Sequence, residues 1–428
     1  MKYFAITIAL LFSFSVRSTA QRIAPVAAQS TPVLITGATI HTGNGQVIER
    51  GAIGFSGGII TYVGTAANAP VAGATVIDAT GKQVYPGLIA PCTNIGLNEI
   101  EAARATNDYA EVGDYNPGTR SLIAYNTDSK VIPTVRSNGI LLAQVAPQGS
   151  IISGASSIMQ LDAWNWEDAQ YKADDGIHLN WPSWFRFDFN DNGAAVTTSD
   201  DYEKQVQQIR SYFSQAQQYN LQPAHAERNI NFEAMKGVFD KSKTVFIHTN
   251  YVREIMNAVE FAKDFGIKMV LVGGSDAYKC APLLKESGVA VILGDAHSLP
   301  DGDDTKVDVP YHTAAMLQQA GVLYCLSTGG YWQQRNLPFI AGTTAAHGVS
   351  KEDALKSVTA NTAKILGIEN RTGTLETGKD ANIIISTGDV LDMRSSNIER
   401  AFIQGRDINL DNSQKQLYQV YKQKYGLK

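Results

Sequence analysis

The stretch Tyr85-Pro-Gly-Leu-Ile-Ala-Pro-Cys-Thr-Asn-Ile-Gly96 separates two differently patterned parts of the chain. Before it, from Pro32 to about Val84, short β-type runs (Val33–Ile40, Gly51–Phe55, Ile59–Val63, Thr75–Asp78) are divided by glycines, a spacing that predicts a small antiparallel sheet. After it, apolar runs of strand length alternate with helical patterns. Strands are expected at Ile140–Val145, Thr244–Ile247, Met269–Val272, Ala290–Leu293 and Leu323–Leu326, and helices over Asp201–Tyr219, Val252–Phe265, Ala281–Glu286 and Tyr311–Gln319. Such repeated βα units predict an α/β protein built on a (β/α)8 TIM barrel, a fold of about 250 residues plus insertions. Toward the end, Gly373–Ile385 and Ile398–Ile403 return to a β pattern, and residues 411–428 read as an exposed amphipathic helix.

The 428 residues are ample for a large core, and 44% hydrophobic with 18% charged residues describes a folded rather than a disordered chain. Lys2, an apolar run from Tyr3 to Leu11 and the small-residue exit Ser18-Thr19-Ala20 describe a cleaved signal peptide over residues 1–20, hence a periplasmic or secreted protein. No later stretch approaches the roughly 20 apolar residues of a membrane span. Without residues 1–20 the chain keeps 34 basic and 41 acidic side chains, a net charge of −7. That balance opposes nucleic-acid binding and supports a role facing small molecules. Three cysteines (92, 280 and 325) without close spacing argue against a disulfide framework, and Cys280 and Cys325 sit in apolar, core-like settings.

Several segments together resemble the amidohydrolase superfamily, in particular its imidazolonepropionase-like exported members: Leu34-Ile-Thr-Gly-Ala-Thr-Ile40, Asp78-Ala-Thr-Gly-Lys82, Pro86-Gly-Leu-Ile89, Gly348–Leu355, Thr359–Gly367 and Gly373–Ala381. The resemblance implies a barrel over residues 86–373. It also implies that the flanks, 32–85 and 374–410, pair into one composite β-sandwich domain, leaving 21–31 as a linker and 411–428 as a C-terminal helix. Family members hold one or two metals, commonly zinc, through His-x-His after strand 1 and further ligands after strands 4, 5, 6 and 8. Carried over by position, the strand 1 pair falls on Cys92 and Asn94, the strand 6 ligand on Gly273 and the strand 8 Asp near Gly329, the strand 4 ligand has no assignable position, and the strand 5 histidine is kept as His248. A catalytic zinc needs about three protein ligands while it activates water, so the metal site is degenerate and His248 is its one retained ligand.

The residues themselves leave alternatives open. His248 is either a metal ligand, a substrate contact or a hydrogen-bonded strand-end histidine. Cys92 either fills the space of a lost histidine or is a thiolate nucleophile, with His248 the obvious base across the barrel mouth. Asp295 and His297, in Gly294-Asp-Ala-His297 after the seventh expected strand, either form an acid/base pair, with Asp276 nearby, or are loop polarity. Glu99, Glu101, Asp108 and Glu111 either bind a cationic substrate or cap a helix. The Trp-rich segment 164–187 forms a pocket wall, a lid or an oligomer contact. His41, His178, His225, His312 and His347 show no ligand spacing, with His225 the weak candidate among them. Two functions follow: a hydrolase acting on a non-peptide C–N bond of a small molecule, or a catalytically inactive amidohydrolase-fold protein that binds a ligand or supports a partner subunit.

Overall fold

The computed structural model describes residues 24–190, 193–222, 224, 227–299 and 305–427, so the expected signal peptide and His225 lie outside the described residues. The N-terminal β-type runs form β1 (Val33–His41), β2 (Val47–Ser56), β3 (Ile59–Thr65), β4 (Thr75–Asp78) and β5 (Gln83–Pro86). The barrel begins with β6 (Leu88–Thr93), β7 (Ile140–Val145), β8 (Ile152–Gln160) and β9 (Gln170–Asn180). A hairpin of β10 (Phe185–Asn190) and β11 (Gly193–Thr198) stands outside it, and the barrel resumes with β12 (Thr244–Thr249), β13 (Met269–Gly273), β14 (Ala290–Leu293) and β15 (Tyr324–Leu326). The chain closes with β16 (Ile383–Ser386), β17 (Ile398–Ile403), β18 (Arg406–Ile408) and a helix, Ser413–Lys424.

The barrel sheet has eight strands in the order β15-β14-β13-β12-β9-β8-β7-β6. One feature corrects the regular (β/α)8 expectation: β8 runs antiparallel to both β7 and β9. The stretch from β7 to β9 is therefore a meander rather than two βα units. The end strands do not pair directly. Instead, Ser357 O accepts from Leu326 N at 3.0 Å and Val358 O accepts from Ile89 N at 3.0 Å, so one peptide segment bridges β15 to β6 and nearly closes the ring.

Side chains of alternating parity divide between two cores. Ile89, Leu142, Ile158, Phe246, Val272, Ile292 and Cys325 fill the barrel interior. Leu141, Ile247, Leu271 and Val291 face outward and pack under the helices. The helix Val252–Phe265 shows how: Ile255, Ala258, Val259 and Ala262 make an i, i+3, i+4, i+7 stripe that is buried, and Gly266 at φ 62° ends the helix in the left-handed conformation glycine tolerates.

The flanking sheet has the path β18-β17-β16-β5-β1-β2-β3, with β4 added beside β1. Its seam is the antiparallel pair of β5 with β16, Pro86 opposite Ile383, which joins the two ends of the chain. Residues 24–31, expected as a linker, run as an extended strap bound to the body. Val26 N donates to Asp162 Oδ2 at 3.2 Å, and Gln29 bonds the backbone of Phe55 and Gly58. Asp162, 1% exposed, also pairs with Arg136 at 2.5 Å and Arg406 at 3.0 Å, tying the barrel, the strap and β18 together.

Candidate functional site

β12 places Phe246 and His248 inside the barrel, and its parallel neighbour β9 sets His178 opposite Phe246. His178 stacks on the Phe246 ring at 4.9 Å between centroids, and its Nδ1 lies 2.9 Å from His248 Nε2, so one imidazole donates and the other accepts. His178 is fully buried, and its Nε2 has no hydrogen-bond partner among the described residues. Burial, with His248 beside it, holds the His178 pKa well below the ordinary histidine value. Burial likewise pushes His248 down to about 4, although that residue keeps a partly exposed edge at the strand end. Both rings are neutral at physiological pH.

A second polar group lies in the same interior. Gln144 is fully buried; its Oε1 accepts from Cys92 N at 3.2 Å and from Cys92 Sγ at 3.4 Å, and its Nε2 donates to Asp175 Oδ2 at 2.8 Å. Ser156 Oγ donates to the other Asp175 oxygen at 2.7 Å. Asp174 adopts φ 46°, a left-handed kink beside the β8–β9 register shift, and this kink turns Asp175 inward. Burial raises the Asp175 pKa.

The geometry bears on three of the open alternatives. Cys92 is not a thiolate paired with His248: its sulfur bonds Gln144, and burial, followed by the neighbouring Cys325 and Asp175, pushes its pKa well above the ordinary thiol value. Asp295 and His297 are not an acid/base pair either. Asp295 Oδ1 accepts from the His297 backbone N–H at 2.9 Å and Oδ2 accepts from Thr328 Oγ1 at 3.0 Å, whereas the His297 ring turns to Thr343 Oγ1 at 2.7 Å, on the helix Leu337–Ala346. Glu99 accepts from Lys130 N and Asn126 Nδ2 at 3.3 Å each, holding the turn that leads into the helix Val131–Arg136. Asp276 pairs with Lys279 at 2.6 Å.

A cavity of about 130 Å3 opens between the ends of β13 and β14 and the helix Val309–Ala320, lined among others by Gly273, Asp276, Asp295 and Thr313. It lies on the barrel face where the parallel strands end, the face that carries active sites in this architecture. In the Trp-rich segment, Trp181 is buried and donates to Tyr202 OH at 3.1 Å, and Trp184 stacks under the Arg253 guanidinium at 3.5 Å. These two tryptophans pack the segment onto the helices Tyr202–Leu221 and Val252–Phe265.

The positions that the resemblance aligns with metal ligands hold these groups. Cys92 is engaged by Gln144 and burial raises its thiol pKa, Asn94 is a neutral amide, and Gly273 and Gly329 carry no side-chain donor. Among the described residues no group of three or more His, Cys, Asp or Glu side chains converges as a metal site. The partner of His248, His178, escaped the sequence reading. A lone histidine between Ile177 and Leu179 carries no motif, and only the β9–β12 pairing brings it to His248.

Comparison with known proteins bears on the family and the fold. Residues 201–413 match the amidohydrolase family. The imidazolonepropionase of Mesorhizobium japonicum is 24% identical over 373 residues, covering 79% of this chain and 87% of that protein. The imidazolonepropionase of Bacillus thuringiensis is 39% identical over 83 residues, covering 18% of this chain and 20% of that protein. The crystal structure of an amidohydrolase from Thermotoga maritima superposes with a TM-score of 0.78 at 25% identity, covering 88% of this chain and 99% of that one. Fold and family match converge on residues 201–413, which match an amidohydrolase family domain.

Proposed function

We propose that this chain hydrolyses a non-peptide C–N bond of a small molecule at the face of the barrel where the parallel strands end. The observation that carries this reading is His248, kept at the end of β12, partly exposed and held by His178 at 2.9 Å. A histidine titrating near 4 takes up protons weakly at neutral pH, so the pair orients the scissile group or the attacking water by hydrogen bonding. The apolar run after Lys2 supports a periplasmic setting for this chemistry. No step is assigned to a metal, because the residues at the ligand positions do not fit one.

That same misfit favours a second reading, a non-catalytic barrel that binds a small ligand or supports a partner subunit. Hydrolysis assays and titration calorimetry against a panel of N-acyl amino acids, lactams and cyclic amidines separate the two. Turnover that drops by about 10²-fold or more in His248→Ala supports the hydrolase. Heats of binding without turnover select the second reading, and turnover unchanged by His248→Ala removes His248 from the chemistry.

A further inference from the structure

We propose that the C-terminal helix Ser413–Lys424 is a docking surface for an anionic lipid bilayer. The helix is pinned at its base, where Asn412 Nδ2 donates to Ser137 Oγ at 2.9 Å and Thr134 Oγ1 donates to Gln414 Oε1 at 2.8 Å. Beyond that base it leaves the body: every residue from Ser413 to Leu427 is exposed except Lys422, which is partly so. Leu417, Val420 and Tyr421 share one face, flanked by Tyr418 and Tyr425, with exposures from 48% to 64%. Lys415, Lys422, Gln419 and Gln423 fall on the opposite face, and Lys424 lies over the Tyr421 and Tyr425 rings at 5.8 and 5.3 Å. A free helix of about 12 residues is marginal in water, so this one gains its stability from whatever covers its apolar face.

Charge identifies the cover. Residues 413–428 hold four of the 36 basic side chains and none of the 41 acidic ones, a charge of +4 against −9 for the rest of the sequence. Pairing with the same helix of a second copy sets like charges together. An acidic lipid surface instead attracts the lysines, accepts the apolar stripe and suits tyrosines at the interface.

The test is co-sedimentation of the full chain with vesicles of mixed phosphatidylglycerol and phosphatidylcholine, against vesicles of phosphatidylcholine alone. Binding is expected to the anionic vesicles, to weaken with salt, to fall about fivefold for each of Lys422→Gln and Lys424→Gln, and to vanish in Leu417→Ser/Val420→Ser/Tyr421→Ser. These positions are exposed, and circular dichroism checks that the variants stay folded. Three results overturn the proposal: no preference for anionic vesicles; binding unchanged in the variants, which assigns it to the apolar run Tyr3–Leu11; or a dimer by light scattering that the triple variant dissociates.

Discussion

Asp162 offers the sharpest perturbation of the fold. Its carboxylate, 1% exposed, takes Arg136 Nη1 at 2.5 Å, Arg406 Nη1 at 3.0 Å and Val26 N at 3.2 Å, and both guanidiniums are largely buried, at 4% and 13% exposure. Asp162→Asn keeps the shape, removes the charge and turns an amide N–H₂ toward a donor. Breaking a buried pair by removing one partner costs about 3–5 kcal/mol, because a charge is left uncompensated. Here the remaining acceptors moderate the loss: Arg136 keeps Leu161 O, and Arg406 keeps Gln160 Oε1 and Asp162 O. The expected destabilisation is therefore at the lower end, about 3 kcal/mol, read from the urea midpoint and slope. Adding Arg136→Met to Asp162→Asn is expected to restore part of the stability, since an apolar side chain then replaces a stranded cation. A loss below about 0.5 kcal/mol, the level of an exposed pair, refutes the reasoning, as does a double variant whose cost is the sum of the two single changes.

Two further outcomes follow from titratable groups. His41 Nδ1 faces Glu352 Oε1 at 2.7 Å and Nε2 faces Gln83 Oε1 at 2.9 Å, so both ring nitrogens meet acceptors. Burial opposes its charge, but the bonds to Glu352 and Gln83 outweigh it and raise the pKa. The resulting stability is fully present below the unfolded histidine value of about 6.5 and is lost as pH rises through the raised folded value. Melting temperatures from pH 6 to 9 are expected to show this decline, and Glu352→Gln to flatten it; a wild-type profile without the decline contradicts the assignment. Cys92 in the native chain is expected to react with a thiol reagent at neutral pH more slowly than free cysteine, because burial raises its pKa; faster labelling contradicts the protonated state.

The legible parts of the sequence were those whose burial is uniform. Ala290–Leu293 is a continuous apolar run, and it is a strand over those same residues because a parallel barrel strand is buried on both faces; Ile140–Val145 is apolar but for Gln144 and is likewise buried throughout. β8 and β9 were not legible. Their segments, Ile152-Ser-Gly-Ala-Ser-Ser-Ile-Met-Gln160 and Gln170-Tyr-Lys-Ala-Asp-Asp-Gly-Ile-His-Leu-Asn180, put Ser156, Asp175 and His178 inside the barrel. Such polar residues are tolerated there because distant partners satisfy them, Gln144 for Asp175 and His248 for His178, and neither pattern nor propensity reports a partner in another strand. His248 was legible by resemblance alone. The separation of the His297 ring from the Asp295 carboxylate was not, since the two-residue spacing suits a backbone turn as well as an acid/base pair.

The seam between β5 and β16 also sets a timetable. Pro86 and Ile383 are partners about 300 residues apart, so at ~5–20 residues per second the edge of β5 waits some tens of seconds of synthesis for the strand that covers it. Until then β1 to β5 present an open, strand-ready border, the kind of edge that recruits stray chains. A late-made strand thus protects the first sheet made, and truncations near the C-terminus are expected to harm yield before they touch the barrel.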